Sequence, residues 1–549
     1  MKKVLLFFLL TLCACIGTYA ANDATYDFSE VNSDGQTIYY RYVESPYYCE
    51  VVSGPEQYKG VIRIPDYVTE RRIPVVGIGV RAFAEPYEHG LKEVYLPSNA
   101  IYIDALAFHS CWELTKVSLN EGLMYIGQIA FENCDRLSEI NVPQSLEFVD
   151  YLAFHNCSSL RPIYNSYCKT FFSFPTGNMG NQCYKIPDGI ETIGISAFNF
   201  SEVKDVIIPN SVKTIEEWGF NGCTFEKVDL PNSIKVIEEY AFGQTKLRHI
   251  TIPSSVDSIG GYCFVSSNLE SVVFECELDS IPKGSFDCCS ELRSVKYPAS
   301  VHKFCDYCFA NCGFTELPDM TNIDTLGIGV FYANDRLKKV TIPDGIKVIP
   351  YDAFNLCMEL REVNLPSTLV RIDGLAFWQN TSLKSIIIPD GVRSIGERAF
   401  EFCENLKDVN LGNGLQSIGD GAFAQIEALQ KIDIPQSVTE IGSDAFGYCP
   451  NLKDVIVHWS EPIALTDGIG CCRKEVTLHV PAGCKQAYQN VPYWQGFTIV
   501  EDAAPATGIM AFDAPALISS DKVFSVSGQR LENAAKGINI INGKKTVVR

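Results

Sequence analysis

The apolar positions of this chain fall into short blocks that repeat, and one well-formed block reads Leu383-Lys-Ser-Ile386-Ile-Ile388-Pro389-Asp-Gly-Val392-Arg-Ser-Ile395-Gly396-Glu-Arg-Ala399-Phe400-Glu-Phe-Cys403. Leu383, Ile386 and Ile388 mark a short strand, and Ile386 and Ile388 share a face because side chains alternate along a strand. Pro389 ends it, having no amide to donate to a ladder. Val392 to Ile395 predicts a second short extended piece and Gly396 a turn that needs no Cβ. Ala399-Phe400 with Cys403 predicts one helical turn that places Phe and Cys together.

The same block recurs along most of the chain. Its Phe falls at 83, 108, 131, 154, 198, 220, 242, 264, 286, 309, 331, 354, 377, 400, 423 and 446. Counting the wide gap between Phe154 and Phe198 as two turns gives about 22.7 residues per turn, a solenoid period. No single turn can bury this apolar set alone, whereas stacking places Ile on Ile and Phe on Phe. The predicted fold is therefore a repeat solenoid of about 23 residues per turn, with short parallel β-strands and one short helical turn per repeat. About 17 turns at strand spacing span roughly 80 Å.

The phrase Leu-x-x-Val-x-Ile-Pro-x-Ser-Val-x-x-Ile-Gly-x-x-Ala-Phe-x-x-Cys resembles the leucine-rich repeat of the BspA-like type, found in bacterial surface and secreted proteins. Val206-Ile-Ile208-Pro209-Asn-Ser211-Val212 and Ile432-Asp-Ile434-Pro435-Gln-Ser437-Val438 are further copies. The resemblance covers roughly residues 60–500. It implies a non-catalytic binding scaffold, often for adhesion to host or partner proteins, and names no ligand.

The flanks read as protection for the two ends. Residues 1–20 have the form of a secretory leader: Lys2 and Lys3, an apolar run from Val4 to Leu12, and a cleavage site at Thr18-Tyr19-Ala20. Leu12-Cys13-Ala14-Cys15 also loosely resembles a lipobox, an alternative that would lipidate Cys15. Within 21–60, Thr37–Tyr42 and Tyr47–Val52 predict a hairpin capping the first turn. The solenoid is assigned to 61–475, with an irregular turn at 161–183. Residues 476–502, with Tyr488, Trp494 and Phe497, predict a closing strand and short helix that also resemble the family's terminal cap. Residues 503–516 read as an Ala/Pro-rich linker. Residues 517–549 read as a small β tail with a hairpin turn at Asn542-Gly543; they are similar to the C-terminal β-modules that outer-membrane bacteria use for secretion or sorting.

Charge and composition narrow the partners. The net charge is −21, which disfavours nucleic acid. Beyond the leader no apolar run is long enough to span a membrane. Location is expected to be secreted or on the outer cell surface.

Candidate chemistry is sparse. Nine cysteines, at 111, 134, 157, 223, 289, 312, 357, 403 and 449, sit three residues after the repeat Phe, where Cys serves as a small buried hydrophobe. Their shared direction in parallel turns is awkward for disulfides. Cys305-x-x-Cys308-x-x-x-Cys312 has metal-like spacing, but register already explains Cys308 and Cys312. Cys168, Cys183, Cys471, Cys472 and Cys484 lie outside the ladder and are the better disulfide candidates. His109 and His155, two turns apart, stand roughly 10 Å from each other, too far to share a metal. No nucleophile, phosphate or dinucleotide motif sits in a suitable context. The chain is expected to be no enzyme and to need no cofactor and no metal.

Two places are candidates for binding. Outward residues of the first strand stack into two columns. One includes Glu93, Lys116, Glu139, Lys227, His249, Lys339, Glu362, Lys431 and Asp454; its neighbour includes Tyr95, Ser118, Asn141 and Lys296. They are mixed in sign and nearly free of aromatics, which suits a protein ligand, such as host extracellular matrix or another cell's surface, better than a glycan. The second place is the interruption, where Tyr164, Tyr167, Phe171, Phe172 and Phe174 precede Pro175-Thr-Gly177-Asn-Met-Gly180. It reads either as a projecting binding loop or as one degenerate turn whose aromatics fill the core. A glycan-binding accessory protein is the competing reading.

Overall fold

A computed structural model describes residues 26–43, 47–68, 72–84, 90–175, 183–465, 467–470 and 474–502, and strands at 523–525, 530–531, 537–541 and 544–548. The expected leader, the linker, Cys471, Cys472 and the stretch from Thr176 to Gly180 lie outside the described residues. The chain divides into two units, Met1–Glu501 and Asp502–Arg549.

The larger unit is a β-solenoid of about 19 turns of roughly 23 residues. Its first side is built from short parallel strands, such as Lys339–Thr341 paired with Glu362–Asn364, and Ser385–Ile387 with Asp408–Asn410. The second side stacks two-residue strands in register: Val348–Ile349, Arg371–Ile372, Ser394–Ile395, Ser417–Ile418 and Glu440–Ile441. Alternation holds as expected, since Ile386 and Ile388 are buried while Ile387 between them is 69% exposed.

The third side departs from the expected helical turn. The residues two before and two after the repeat Phe have positive φ, 52° at Arg398 and 60° at Phe402 around Phe400, and no right-handed helix accepts that. Alternate amides serve two ladders instead. Those of Arg398, Phe400 and Phe402 donate forward to Asp420, Ala422 and Ala424 of the next turn, while those of Glu401 and Cys403 close tight turns onto Arg398 and Phe400. These five amides are thereby satisfied without helix. Gly396 is required for closeness: a Cβ there would lie 2.3 Å from the Gly374 backbone nitrogen of the preceding turn.

Inside, the Phe rings stack almost parallel, Phe377–Phe400 at 5.2 Å and Phe400–Phe423 at 5.1 Å between centroids. Burying each ring contributes about 1.5–3 kcal/mol, and stacking about 0.5–1.5 kcal/mol more.

At the first end, Phe28–Val31, Thr37–Tyr42 and Cys49–Val52 form an antiparallel sheet that continues through Ile73–Ile78 into the second-side strands. Glu50, 4% exposed, accepts hydrogen bonds from Arg41 Nε at 3.0 Å and from the Tyr102 hydroxyl at 2.7 Å. At the other end, winding outlasts the Phe repeat. Asp454–Val457, Thr477–Val480 and Thr498–Glu501 extend one parallel sheet, and this helps to explain why the turns outnumber the Phe-bearing blocks. The helix Lys485–Gln489 leaves Tyr488 fully buried beside Trp494.

The smaller unit holds an antiparallel sheet in which Val523–Ser525 pairs with Arg530–Leu531 and Gly537–Ile541, and the latter with Lys544–Val548.

Candidate ligand-binding face

The regular ladders place the first-side columns in register. Glu93, Lys116 and Glu139 are aligned neighbours, as are Tyr95 and Ser118, Lys339 and Glu362, and Lys431 and Asp454. Stacking at strand spacing lets opposite charges find each other along a column. Lys116 pairs with Glu139 at 3.0 Å and Lys339 with Glu362 at 2.7 Å, while Lys227 pairs with Asp229 across to the second column at 3.3 Å. These contacts raise the pKa of Lys116 and lower that of Glu362. His249 shares a hydrogen bond with Ser271 at 2.9 Å. Tyr95 lies beneath the Arg63 guanidinium and donates to Glu93 at 2.8 Å. Of the lysines predicted to bind, only Lys296 and Lys431 make no ion pair among the described residues. The face is a polar, largely self-compensated surface.

The interruption resolves toward the degenerate turn. Thr170–Ser173 pairs antiparallel with Ile163–Asn165 and parallel with Thr192–Ile193. Phe171, Phe172 and Phe174 are buried, Phe171 stacking on Phe198 at 4.9 Å. Phe171 and Phe172 point into different core clusters, so the core divides at this strand. Only Tyr164 and Tyr167, at 39% and 68% exposure, reach solvent from this aromatic set.

The irregular turn also opens the first side. The Glu139–Ile140 strand ends its sheet. In the regular pattern the amide aligned with Glu139 donates backward, as Asp408 does to Lys384 and Glu139 itself to Thr115. At the next turn that position is Pro162, which has no amide to give. Asn141, though exposed, reaches back to the preceding turn, its carboxamide accepting from the Leu119 amide at 2.7 Å and donating to the Leu119 carbonyl at 2.8 Å. The result is a groove of about 460 Å³ whose walls include Lys116, Glu139, Ile140, Val142, Arg161 and Pro162. Ile140 is half-buried where its counterparts Val117 and Ile386 are buried. On the third side, a second cavity of about 20 Å³, bordered by Asp150, His155 and Ser196, has room for one water molecule.

The cysteines do more than fill space. Cys111, Cys134, Cys157, Cys223, Cys289, Cys312, Cys357, Cys403 and Cys449 each donate to the carbonyl of the preceding turn's Phe position, for example Cys403 Sγ to Phe377 O at 3.2 Å. Asn334 and Asn380 occupy the same slot and donate to Phe309 and Phe354 in the same way. Burial pushes Cys403 and Cys357 up to about 12, which keeps them protonated donors. Every cysteine among the described residues is free, including Cys168, Cys183 and Cys484, contrary to the expectation that these three are disulfide candidates. Cys308 and Cys312 are buried, and no group of three metal-ligating side chains occurs among the described residues.

A stack of turns with parallel strands on one side, a buried Phe ladder and a recurring Leu-x-x-Val-x-Ile phrase defines a leucine-rich-repeat scaffold. The model of the BspA type leucine-rich repeat region matches in overlapping stretches, residues 76–174, 171–292, 257–384 and 324–453, well over half of the chain. The chain belongs to that family. It is similar to a leucine-rich repeat protein from Bacteroides ovatus, at 22% identity over 80% of this chain and 100% of that one, with a TM-score of 0.40. It is also similar to a leucine-rich cell surface protein from Faecalibacterium prausnitzii, at 19% identity over 88% and 96%, with a TM-score of 0.27. A third is the pneumococcal vaccine antigen PcpA, at 18% identity over 87% and 100%, with a TM-score of 0.32. No curated protein matches the chain. No helix among the described residues is long and apolar enough to cross a membrane.

Proposed function

We propose that this chain is an exported, non-catalytic scaffold that binds a protein partner at the cell surface. The observation that carries the reading is the first side, a succession of short parallel sheets whose outward residues form polar columns of mixed sign. Such a surface offers many weak, directional contacts to a second folded protein. The leader and the secretion-like tail support export. The buried thiols support a structural role for cysteine, and several histidines are engaged with carboxylates, such as His109 with Glu132 and His479 with Asp454.

The glycan alternative gains one observation. Trp218, Tyr240 and Tyr262 stack on the third side at 4.0 and 5.1 Å. Their faces are spent on one another, and a Cβ at Gly284 would strike the Tyr262 ring, so edges rather than stacking platforms meet solvent.

The test is binding of the leaderless chain to arrays of extracellular-matrix proteins and of glycans. Saturable protein binding, weakened by the paired substitution Lys296→Glu and Lys431→Glu, is the expected result. Selective glycan binding lost on Trp218→Ala would replace this reading with the accessory one.

A further inference from the structure

The groove beside the Glu139–Ile140 strand has three properties that together specify an occupant. Its strand edge is unpaired on one side, because Pro162 supplies no amide to the Ser138 carbonyl. An edge of this kind is satisfied by the main chain of another extended segment. Its apolar floor, Ile140 and Val142, is half-buried and separated by one residue, the spacing that alternate side chains of an added strand would cover. Its lip carries Arg161, exposed and without an ion pair among the described residues, whereas the neighbouring Lys116 is already held by Glu139.

We infer that this groove accepts an extended peptide segment of the partner protein, one that alternates apolar residues and carries an acidic side chain for Arg161. The inference rests on the protein-binding reading above and narrows it to a place and a mode, strand addition at the break in the solenoid. The edge supplies affinity through backbone hydrogen bonds. The floor and Arg161 supply the choice of side chains. Other first-side strands, such as Asp205–Ile207 and Asp408–Asn410, also end their sheets; what marks the Glu139–Ile140 edge is the groove beside it, with its apolar floor and Arg161 at the lip.

The experiment selects short random peptides displayed on phage against the full leaderless chain. Recovered peptides are then measured against Ile140→Arg, which fills the groove, and against Arg161→Glu, an exposed change that leaves folding alone. The expected result is enrichment of sequences with alternating apolar residues and an Asp or Glu. Binding should weaken by about tenfold or more in both variants. It should also be lost when alternate peptide amides are N-methylated, because that removes the edge hydrogen bonds. Absence of enrichment, or peptides indifferent to both variants and to methylation, overturns the groove. Peptides that ignore both variants but respond to Lys296→Glu with Lys431→Glu overturn the groove while leaving the broader protein-binding reading standing.

Discussion

The turns from Phe331 to Phe446 and the turn at 161–183 are made from similar residues and behave differently. In the first region every turn hands hydrogen bonds to the next on the third side, and the Phe rings stack without a gap at 5.1 to 5.7 Å. In the second, the third-side ladder stops: the amides of Leu152 and Phe154 have no acceptor among the described residues, whereas their counterparts Leu106 and Phe108 donate to Gln128 and Ala130. Phe171 substitutes for the missing ring, but the core divides around it. Cohesion in this solenoid therefore comes from several ladders kept in step. Losing the step at one turn opens a groove without unmaking the stack.

The largest expected effect comes from the regular region. Phe377→Ala removes a ring at 0% exposure that is stacked on both sides, and should cost about 3–5 kcal/mol in urea melts. Tyr167→Ala at the interruption should move stability by less than about 0.5 kcal/mol. Equal losses at the two sites would erase the contrast.

Cys403→Ala should cost about 1–3 kcal/mol, because it leaves the Phe377 carbonyl unpaired and opens space. Cys403→Asn should lose less, since Asn380 makes the equivalent bond one turn earlier. A smaller and opposite effect is expected at Arg398, an exposed residue with φ of 52°. Arg398→Gly should be neutral or stabilising by up to about 1 kcal/mol, as the left-handed conformation penalises a Cβ. A melting temperature that falls would contradict the turn geometry.

The smallest effect belongs to the interruption's edge. Hydrogen bonds from Lys169 at 2.5 Å and Lys213 at 2.7 Å hold the Glu191 carboxyl down to about 2. A depressed folded-state pKa means that its stabilisation is complete above the ordinary value of 4.5 and is lost as pH falls toward about 2. Stability of Glu191→Gln should fall less over that window than that of the parent. The difference should be slight, because the group is solvent-screened.

Much of this was legible in the residues. The Phe period, the strand that ends at Pro389 and the outward columns follow from alternation and spacing alone. The third side did not, because positive φ leaves little trace when the residue is Arg, Leu or Asp; Gly284, Gly329 and Gly421 at the same slot were the available sign. The cysteine bonds were hidden because Cys reads as a small hydrophobe. Asn334 and Asn380 in that slot were the signal of a polar duty. Arg161 and Ile140 were missed as binding residues, although Pro162, falling in register with Glu139, marks where the strand ladder fails. Phe171 and Phe172, which the sequence left between a binding loop and a core-filling degenerate turn, are core, since an aromatic in a broken repeat can fill the place of the absent ring.

Native-state hydrogen exchange read by mass spectrometry tests the central claim, that the third-side ladder runs in step along the solenoid and fails at one turn. Protection of the third-side amides should be high and even from Phe198 to Phe423, and again from Leu106 to Phe131, with a sharp minimum at the amides of Leu152 and Phe154. Protection at Leu152 and Phe154 equal to that at Phe400 would contradict the account.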